Sequence, residues 1–389
     1  MSKQLAFVLI NPYTIRKSRT GGIIARYLVR TDLKLAAARV FGASRALAEE
    51  FANYLARVDP EDAEVDTLLA DYVRRAYAPD PISARTHRCV CLLFEGEDAV
   101  NKIYEVTGSI RQRWGSGQSL RDTYGDLVRD ERTNAVIYFE PAVIVGTNLE
   151  STRESLRIWL KYTRGDSGIV RGAADLLDCD GVEQTLVLLK PDNFRQPSLR
   201  AGNIMDLLSS SGLRIVAFKK FAMSVAQAEA FYGPVCESLK RLFPTFAKER
   251  AAQALSREFG LPVDASTLEP LCEQLAPQFA RREFENIVEF MSGRRPSACS
   301  DAERTAAGRE ECLAIVYEGL DAVGKIRDIL GSTDPSKARP GSIRREFGTN
   351  IMVNAAHASD SVENARREMA IVDVASDPLF EELIRKYYL

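Results

Sequence analysis

A stretch that occurs twice decides the fold: CLLFEGEDAVNKI at Cys91–Ile103 and LAIVYEGLDAVGKI at Leu313–Ile326. Each copy begins with the apolar run of a strand, passes through Glu-Gly and continues with apolar residues at helical spacing. Self-similarity of this kind indicates a repeated structural unit. The chain of 389 residues therefore contains two copies of one fold.

Shorter matches extend the repeat on both sides of this stretch. Leu5–Pro12 agrees in pattern with Leu186–Pro191, and Ser119–Arg121 agrees with Ser342–Arg344. Strands and helices alternate in each copy in the order βαββαβ. This order predicts an α+β protein of two ferredoxin-like domains, each with an antiparallel sheet covered by helices on one face.

The repeat sets the predicted domain limits, which are 1–160 for the first copy, 161–181 for a linker and 182–389 for the second copy. In the second copy we predict strands at 183–189, 213–222, 312–317 and 350–356, and helices at 199–210, 225–233, 320–330 and 361–371. The last predicted strand leads to His357, so this side chain is expected where the sheet ends and a cleft begins.

Two segments interrupt the second copy. Residues 235–282 have apolar residues at helical spacing around the breaker Gly260-Leu261-Pro262, which predicts a helical insertion. Residues 293–310 are rich in small and charged residues and are predicted to form an exposed loop. Two roles stay open for the helical insertion: a cover or subunit contact near a functional site, or a packing element without a function of its own.

Composition restricts the class of protein. Apolar residues make up 46% of the chain, enough for a sizeable core, and the net charge of −2 favours neither nucleic acid nor an anionic membrane as a partner. Seven cysteines and two histidines do not favour a zinc site and are typical of a reducing compartment. No apolar stretch approaches the roughly 20 residues of a membrane span. We therefore expect a soluble cytoplasmic protein.

The segment Asn354–Ser361, NAAHASDS, contains a candidate nucleophile. His357 lies between small alanines that leave the imidazole accessible, and Ser359 and Asp360 can hold its surroundings by short hydrogen bonds. Histidine can act as a nucleophile near neutral pH because much of it is uncharged there. From this segment alone, a histidine buried for structural reasons is an equally good interpretation.

Basic residues elsewhere in the second copy favour a phosphate site. Lys190 ends an apolar strand, Arg327 lies on a predicted helix, and Arg344 follows a Pro-Gly turn. Arginine offers planar paired donors and lysine a point charge, and both suit phosphate oxygens. Any one of these residues by itself would be interpreted as a solvated surface residue. The chain has no Gly-x-x-x-x-Gly-Lys-Ser/Thr loop, which argues against a P-loop kinase.

Together and in this order, these motifs resemble the nucleoside diphosphate kinase family. The resemblance covers residues 182–234 and 283–372: a strand ending in Lys-Pro-Asp, a Tyr-Glu-Gly-Leu element, a Pro-Gly-Ser-Ile-Arg turn and the Asn-x-x-His-x-Ser-Asp-Ser core. It implies that His357 accepts the phosphate. It also implies that Glu368 orients the His357 side chain and that Ser359 and Asp360 support this side chain. The nucleotide contacts that it implies are Lys190, Tyr232, Phe284, Ile287, Arg327, Thr333, Arg344, Ile351 and Asn354.

Two positions depart from the family pattern. The aromatic residue that stacks on the base falls at Glu283 in the direct register, and Phe284 takes this role after a shift of one residue. The glycine that follows the family's histidine is Ala358 here, which matters only if that backbone needs a positive φ.

The resemblance also implies an activity and partners. The reaction would move the γ-phosphate of a nucleoside triphosphate to a nucleoside diphosphate by a ping-pong route, with Mg²⁺ bound to the nucleotide phosphates, no metal ligand from the protein, and a homo-oligomeric assembly. One alternative is a non-catalytic nucleotide-sensing or scaffold protein. Another is an enzyme with the same phosphohistidine chemistry but a protein as acceptor.

The first copy differs where the chemistry would take place. Three functional positions carry other residues there: Asn11 for Lys190, Tyr104 for Arg327 and Val145 for His357. Valine has no lone pair with which to attack phosphorus, so this copy is predicted to be inactive. We expect it to serve as a packing partner, and weak anion or nucleotide contact through Arg121 and Tyr54 is the alternative.

Overall fold

The computed structural model describes residues 3–59, 62–110, 117–260 and 262–389. Leu261, in the predicted helix breaker, lies outside these ranges. By its internal contacts the chain divides into two compact units, one of residues 1–221 with 313–389 and one of residues 222–312. The predicted limits of the two copies, at 160 and 182, both fall inside the first unit, so the copies share one compact body.

The strands and helices of the described residues follow the repeat. The strands are β1 (Lys3–Ile10), β2 (Lys34–Gly42), β3 (Arg88–Glu97), β4 (Asp126–Arg129), β5 (Val136–Glu140), β6 (Val143–Val145), β7 (Val182–Leu189), β8 (Arg214–Ala222), β9 (Glu311–Leu320) and β10 (Ala356–Ala358). The α-helices are α1 (Pro12–Arg16), α2 (Thr20–Arg30), α3 (Arg45–Leu55), α4 (Ala63–Ala76), α5 (Ala99–Thr107), α6 (Leu120–Tyr124), α7 (Leu149–Lys161), α8 (Thr163–Asp166), α9 (Arg200–Ser209), α10 (Val225–Phe259), α11 (Glu269–Ser292), α12 (Asp301–Thr305), α13 (Ala322–Leu330), α14 (Ile343–Phe347), α15 (Val362–Ile371) and α16 (Pro378–Tyr388).

The two four-stranded sheets have the same topology. Their strand orders are β2-β3-β1-β6 and β10-β7-β9-β8, and the central strands β1 and β7 pair antiparallel with both neighbours. Numbered within each copy, both orders read 2-3-1-4 in one direction, the order of a ferredoxin-like βαββαβ fold. The predicted α+β class is therefore confirmed. The hairpin of β4 and β5 is an addition found in the first copy.

The last strand of the second copy is shorter and later than predicted. We predicted a strand at 350–356, but the strand is β10, Ala356–Ala358. The side chain of Asn350 accepts hydrogen bonds from the backbone N–H groups of Met352 and Val353, at 2.9 and 2.8 Å, and closes a turn there. Ala355 has φ +69°, which interrupts any extended run. His357 is consequently in the middle of β10 and not beyond its end.

Strand register corrects the predicted counterpart of His357 in the first copy. Ala142 and Ala355 both have positive φ, +62° and +69°, immediately before the last strand of their copies. In both copies this alanine accepts a backbone hydrogen bond from the residue that follows the central strand. Two residues further on lie Ile144 and His357. The prediction of Val145 was wrong by one residue, because apolar patterns do not reveal a left-handed alanine.

The two copies pack closely through α2 and α9. A Cβ atom added to Gly202 would lie 2.4 Å from the Cβ of Ala25 and 2.4 Å from the carbonyl oxygen of Gly21. Such a separation is too short for any side chain. Glycines at 21 and 202 thus allow the helices of the two copies to approach each other backbone to backbone.

The predicted linker is an ordered part of the first unit. The backbone N–H of Gly168 donates to Val40 of β2 at 3.2 Å, and that of Val170 donates to Val216 of β8 at 2.9 Å. The segment therefore hydrogen-bonds to the edge strand of each sheet. It joins the copies by main-chain contacts as well as by chain connection.

The second unit is a helical hairpin. The prediction of a helical insertion at 235–282 agrees with α10 and α11, but α10 runs without a break through Pro234 and ends at Phe259, followed by the C-cap Gly260 with φ +65°. The predicted helix at 225–233 is thus only its beginning. Phe243 stacks on Phe279 across the hairpin, with ring centroids 4.4 Å apart. Among helices in the described ranges, none has the length and apolar character needed to cross a bilayer.

Candidate active site

His357, Ser359 and Glu368 form a hydrogen-bonded group. Glu368 Oε2 accepts a hydrogen bond from Ser359 Oγ at 2.6 Å and lies 2.9 Å from His357 Nε2. The carboxyl group is buried, with 5% of its side chain exposed, whereas 22% of the imidazole is exposed. The carboxylate therefore fixes a ring whose outer edge reaches solvent.

Local structure brings these three side chains to one place. His357 is opposite Leu188 of β7, and the backbone N–H of Ser359 continues the pairing to the carbonyl of Leu186 at 3.1 Å. Residues 357 and 359 therefore point to the same face of the sheet, because side chains alternate along a strand. Ser361 caps α15 by accepting from the N–H of Asn364, and this helix carries Glu368 over that face.

This arrangement selects one nitrogen of the imidazole for chemistry. An ionised carboxylate only accepts hydrogen bonds, so Nε2 carries the proton when it faces Glu368. The neutral ring then has its lone pair on Nδ1. His357, held by Glu368, is thus suited to nucleophilic attack through Nδ1.

Asp360 links the histidine strand to α13 and α15. Its Oδ1 accepts from Asn364 Nδ2 at 2.6 Å, and its backbone carbonyl accepts from Arg327 Nη1 at 3.3 Å. The hydrogen bond from Asn364 lowers the pKa of Asp360, and the charges of Arg327 and His357 lower it further. The backbone carbonyl of Asp360 therefore keeps the exposed Arg327 beside the segment that carries His357.

Arg344 is fixed directly behind the histidine strand. Its Nη2 donates to the carbonyl of Ala356 at 3.2 Å, and its Nη1 donates to the carbonyl of Gly331 at 2.9 Å. The side chain is half-buried. A guanidinium held by two carbonyls keeps one orientation, so its positive charge is preorganised one residue away from His357.

Lys190 and Asn354 form a second buried polar pair. Lys190 Nζ donates to Asn354 Oδ1 at 2.6 Å and to the carbonyl of Met352 at 3.0 Å. Asn354 Nδ2 donates to the carbonyls of Thr333 and Ile351, at 3.0 and 2.8 Å. The side chains of Thr333 and Ile351 are exposed, and only their carbonyls join this network. The pair connects the end of β7 with two loops.

Three predicted nucleotide contacts belong to the second unit. Tyr232 is buried on α10, with its ring 4.9 Å from that of Phe231, and Phe284 and Ile287 are half-buried on α11. The other predicted residues all belong to the first unit. The roles of Tyr232, Phe284 and Ile287 stay predictions.

Two polar residues near the histidine were not predicted. Asn364 holds Asp360, and Arg367 Nη2 lies 3.4 Å from Glu368 Oε1. A serine three residues before Asn364 is a helix-start signal, and it could have placed Asn364 and Arg367 in the first turns of the helix that carries Glu368. Among the residues the structure describes, no group of three or more His, Cys, Asp or Glu side chains could hold a metal ion.

The corresponding position of the first copy is filled by buried side chains. Asn11, at the place of Lys190, accepts from Tyr77 Oη at 2.7 Å and donates to Glu140 Oε1 at 3.0 Å. Tyr72 Oη donates to Glu140 Oε2 at 2.6 Å. Burial raises the pKa of Glu140, Tyr72 and Tyr77. Asn11 and Ile144 therefore occupy the places of Lys190 and His357, so uncharged side chains replace that cation and that imidazole.

One cation of the site is retained in the first copy. Arg121 donates to the carbonyls of Gly108 and Val143, at 2.5 and 3.2 Å, as Arg344 does with the corresponding carbonyls of the second copy. Arg121 is 3% exposed, and burial lowers its pKa to about 10. In this copy the arginine joins the helix to the sheet and is closed off from solvent.

Sequence comparisons with known proteins identify one family. The family described as "Nucleoside diphosphate kinase" matches residues 183–250 and 280–374, which include all the residues of the site described above. The nucleoside diphosphate kinase of Helicobacter pylori strain Shi470 is 32% identical over 196 residues, 50% of this chain and 98% of the relative. That of Wolinella succinogenes is 33% identical over 190 residues, 49% of this chain and 93% of the relative. A crystal structure of the Aquifex aeolicus nucleoside diphosphate kinase aligns with a TM-score of 0.30 at 29% identity, covering 49% of this chain and 94% of that one.

Proposed function

Because the chain belongs to the nucleoside diphosphate kinase family, we propose that it transfers the γ-phosphate of a nucleoside triphosphate to a nucleoside diphosphate by way of His357. The observation that carries this proposal is the contact of 2.9 Å between His357 Nε2 and Glu368. It favours the tautomer in which Nδ1 is the nucleophile. The relatives are nucleoside diphosphate kinases, which supports the choice of nucleotides as donor and acceptor.

The reaction consists of two displacements at phosphorus. In the first, Nδ1 of His357 forms a bond to the γ-phosphorus, the bond to the bridging oxygen breaks, and the nucleoside diphosphate leaves with the electron pair. In the second, a terminal phosphate oxygen of another nucleoside diphosphate attacks the phosphohistidine, and the electron pair returns to Nδ1. Glu368 holds Nε2–H throughout and stabilises the positive charge of the phosphorylated ring.

Positive charges around His357 favour the transfer. Arg344 is fixed by the carbonyls of Gly331 and Ala356, and Lys190 is fixed by Asn354. Preorganised cations stabilise the charge on a transferring phosphoryl group without the cost of reorganisation. Arg327 is exposed and can meet the leaving phosphate at the mouth of the site.

The proposal includes Mg²⁺ as an ion bound to the nucleotide phosphates. Protein carboxylates are poorly placed to hold it, because Glu368 is engaged by His357 and Ser359, and Asp360 is engaged by Asn364. When bound with the nucleotide, the ion neutralises phosphate charge. The nucleotide contacts of Tyr232, association into homo-oligomers and a cytoplasmic location remain predictions.

We further propose that the first copy takes no part in the chemistry. Ile144 at the position of His357, and Asn11 bound to Tyr77 and Glu140, support this assignment. The first copy contains His87 as its own histidine. This residue directly precedes β3, away from the last strand, where the nucleophile of the second copy lies.

Transfer of labelled phosphate tests the proposal. After incubation with γ-labelled ATP and Mg²⁺, wild-type protein should carry acid-labile, base-stable phosphate on His357 and pass it to added GDP. His357→Ala should abolish both steps, because no other nucleophile replaces the imidazole. Label on Ser359, Ser361 or His87, or turnover by the variant, would contradict the proposal. Label that passes to proteins and not to GDP would indicate a different acceptor.

A further inference from the structure

Two cations hold the C-terminal end of α15, the helix that carries Glu368. Lys219 on β8 donates from Nζ to the carbonyls of Val372 and Asp373, at 2.9 and 2.8 Å. Arg39 on β2 donates from Nη2 to the carbonyl of Ala375 at 2.9 Å. The end of a helix carries partial negative charge and leaves carbonyls without helical partners. Lys219 therefore caps this end, and Arg39 fixes the chain that follows it.

The two cations occupy equivalent positions in the two copies. Arg39 and Lys219 are on the edge strands of sheets with the same order, and each precedes by five residues the serine that caps the next helix, Ser44 and Ser224. Lys219, which holds α15 from within the second copy, thus has Arg39 as its counterpart in the first copy. The first copy contributes to the helix of Glu368 through its own edge strand.

Burial makes these contacts specific. Arg39 is 5% exposed and Lys219 is 8% exposed, and burial lowers the pKa of both. The charge of Asp377, itself buried beside them, opposes this effect. A buried cation that loses its partners has no solvent to replace them. Movement of residues 372–377 away from Arg39 and Lys219 is therefore unfavourable.

The linker adds an independent contact at the same place. Gly168 has φ +113°, a conformation that L side chains rarely adopt, and an added Cβ would lie 2.7 Å from the carbonyl oxygen of Ala375. Only glycine is compatible with both features. Arg39 Nε also donates to Ser167 Oγ at 2.5 Å. The linker and β2 thus both contact Ala375 and fix its position.

A short path of hydrogen bonds joins these cations to the reacting ring. Lys219 binds the carbonyl of Val372, whose N–H donates to the carbonyl of Glu368 at 3.1 Å. Glu368 in turn holds His357 and Ser359. We propose that Lys219 and Arg39 are positioning residues for phosphotransfer, which fix α15 so that Glu368 holds His357 in its reactive tautomer and orientation. This inference rests on the proposed function, and it gives the first copy a positioning role although that copy does no chemistry itself.

The inference predicts a loss of rate without a loss of binding. Misplacement of a reacting group by about 1 Å can cost on the order of 10²-fold in rate. Lys219→Met keeps the length of the side chain but removes its donors, and we expect kcat to fall roughly 10- to 100-fold. KM for both nucleotides should stay unchanged, because Lys219 binds backbone carbonyls of this chain. Lys219→Arg can still donate to them and should recover most of the rate.

Nitrogen NMR of the histidine rings separates positioning from general stability. The chain has two histidines, His87 and His357, so the His357 signal can be assigned with His357→Gln. Wild-type protein should show one neutral tautomer, with the proton on Nε2. Lys219→Met should show a mixture of tautomers at His357 and an unchanged signal at His87. Lys161→Met, which removes an exposed pair with Glu50, is the matched control and should change neither rate nor spectrum.

Arg39→Lys serves if Lys219→Met fails to fold, because it keeps the charge but shortens the reach to Ala375. Arg39→Lys should lower kcat less than Lys219→Met does and should give a smaller fraction of the second His357 tautomer. Wild-type kcat and a single His357 tautomer in folded Lys219→Met or Arg39→Lys would overturn the inference. Equal losses in Lys161→Met would also overturn it. If wild-type protein never carries phosphate on His357, the proposed function fails, while the tautomer measurement still decides whether Lys219 and Arg39 position the ring.

Discussion

Glu368→Gln changes the hydrogen bond that selects the tautomer of His357 while it leaves the shape of the site nearly unchanged. Glutamine has nearly the same size, and its amide oxygen is favoured at the place of Glu368 Oε1, where the donor Arg367 Nη2 lies 3.4 Å away. The amide NH2 group then takes the place of Oε2, where it faces Ser359 Oγ, which can accept, and His357 Nε2. His357 must accept at Nε2, so the proton moves to Nδ1, the nitrogen that would attack phosphorus.

The size of the effect follows from the hydrogen bond that is lost. A hydrogen bond to a charged group is worth about 1.5–3 kcal/mol, and about 1.4 kcal/mol corresponds to a factor of ten. The reactive tautomer should therefore be depleted roughly 10- to 150-fold, and the rate of phosphorylation should fall by the same factor. Glu368 is 4% exposed, so solvent does not replace the carboxylate.

Rapid-quench labelling of His357 from γ-labelled ATP measures this step without interference from product release. Glu363→Gln, an exposed residue in the first turn of α15, is the matched control and should keep the wild-type rate. Unfolding in urea should be similar in both variants. A folded Glu368→Gln protein that is phosphorylated as fast as the wild type would refute the assignment of Glu368 as the group that selects the tautomer.

Three further predictions use independent measurements. Arg327→Ala and Arg344→Ala should each lower steady-state phosphotransfer roughly 10²- to 10³-fold, the range for loss of one preorganised donor, and an unchanged rate in both would show that they are ordinary structural arginines. Gly202→Ala should lower the free energy of unfolding by about 1–3 kcal/mol because its Cβ meets backbone, whereas Gly165→Ala, with open space around it, should not. Burial raises the pKa of Asp377 to about 6, above its unfolded value, so the wild type should lose about 2 kcal/mol of stability as the pH rises from 4 to 7. Asp377→Asn has no group that titrates at this position and should not show this loss. Urea unfolding of both proteins at both pH values checks this, and parallel changes in the two proteins would contradict it.

The parts of the fold that sequence predicted well have strong periodic patterns. The strand predicted at 183–189 is β7 (Val182–Leu189), and the helix predicted at 361–371 is α15 (Val362–Ile371). Long apolar runs with start signals fix such elements locally. The repeat predicted two ferredoxin-like copies because it depends on many residues at once, and the two sheets have that order.

The parts that sequence missed depend on single backbone angles or on distant contacts. Because Ala355 has a positive φ, the last strand begins later than predicted, and the counterpart of His357 is Ile144. Alanine gives no sequence signal for such a conformation. The contacts of Lys219 and Arg39 with the end of α15 join residues more than 150 positions apart in sequence. Spacing within one segment cannot reveal these pairs, although it did predict the helix that carries Glu368.

The proposed inactivity of the first copy would be difficult to reverse, because buried side chains fill the place of the site. Histidine introduced at 144 would still face a site where Tyr77 and Glu140 bind Asn11. Removing Tyr77 to admit a nucleotide would open a cavity in the core, and loss of a large buried aromatic side chain costs about 3–5 kcal/mol. Each intermediate sequence would thus be less stable without being more active. If the first copy is inactive as proposed, selection for stability alone would be enough to keep it so.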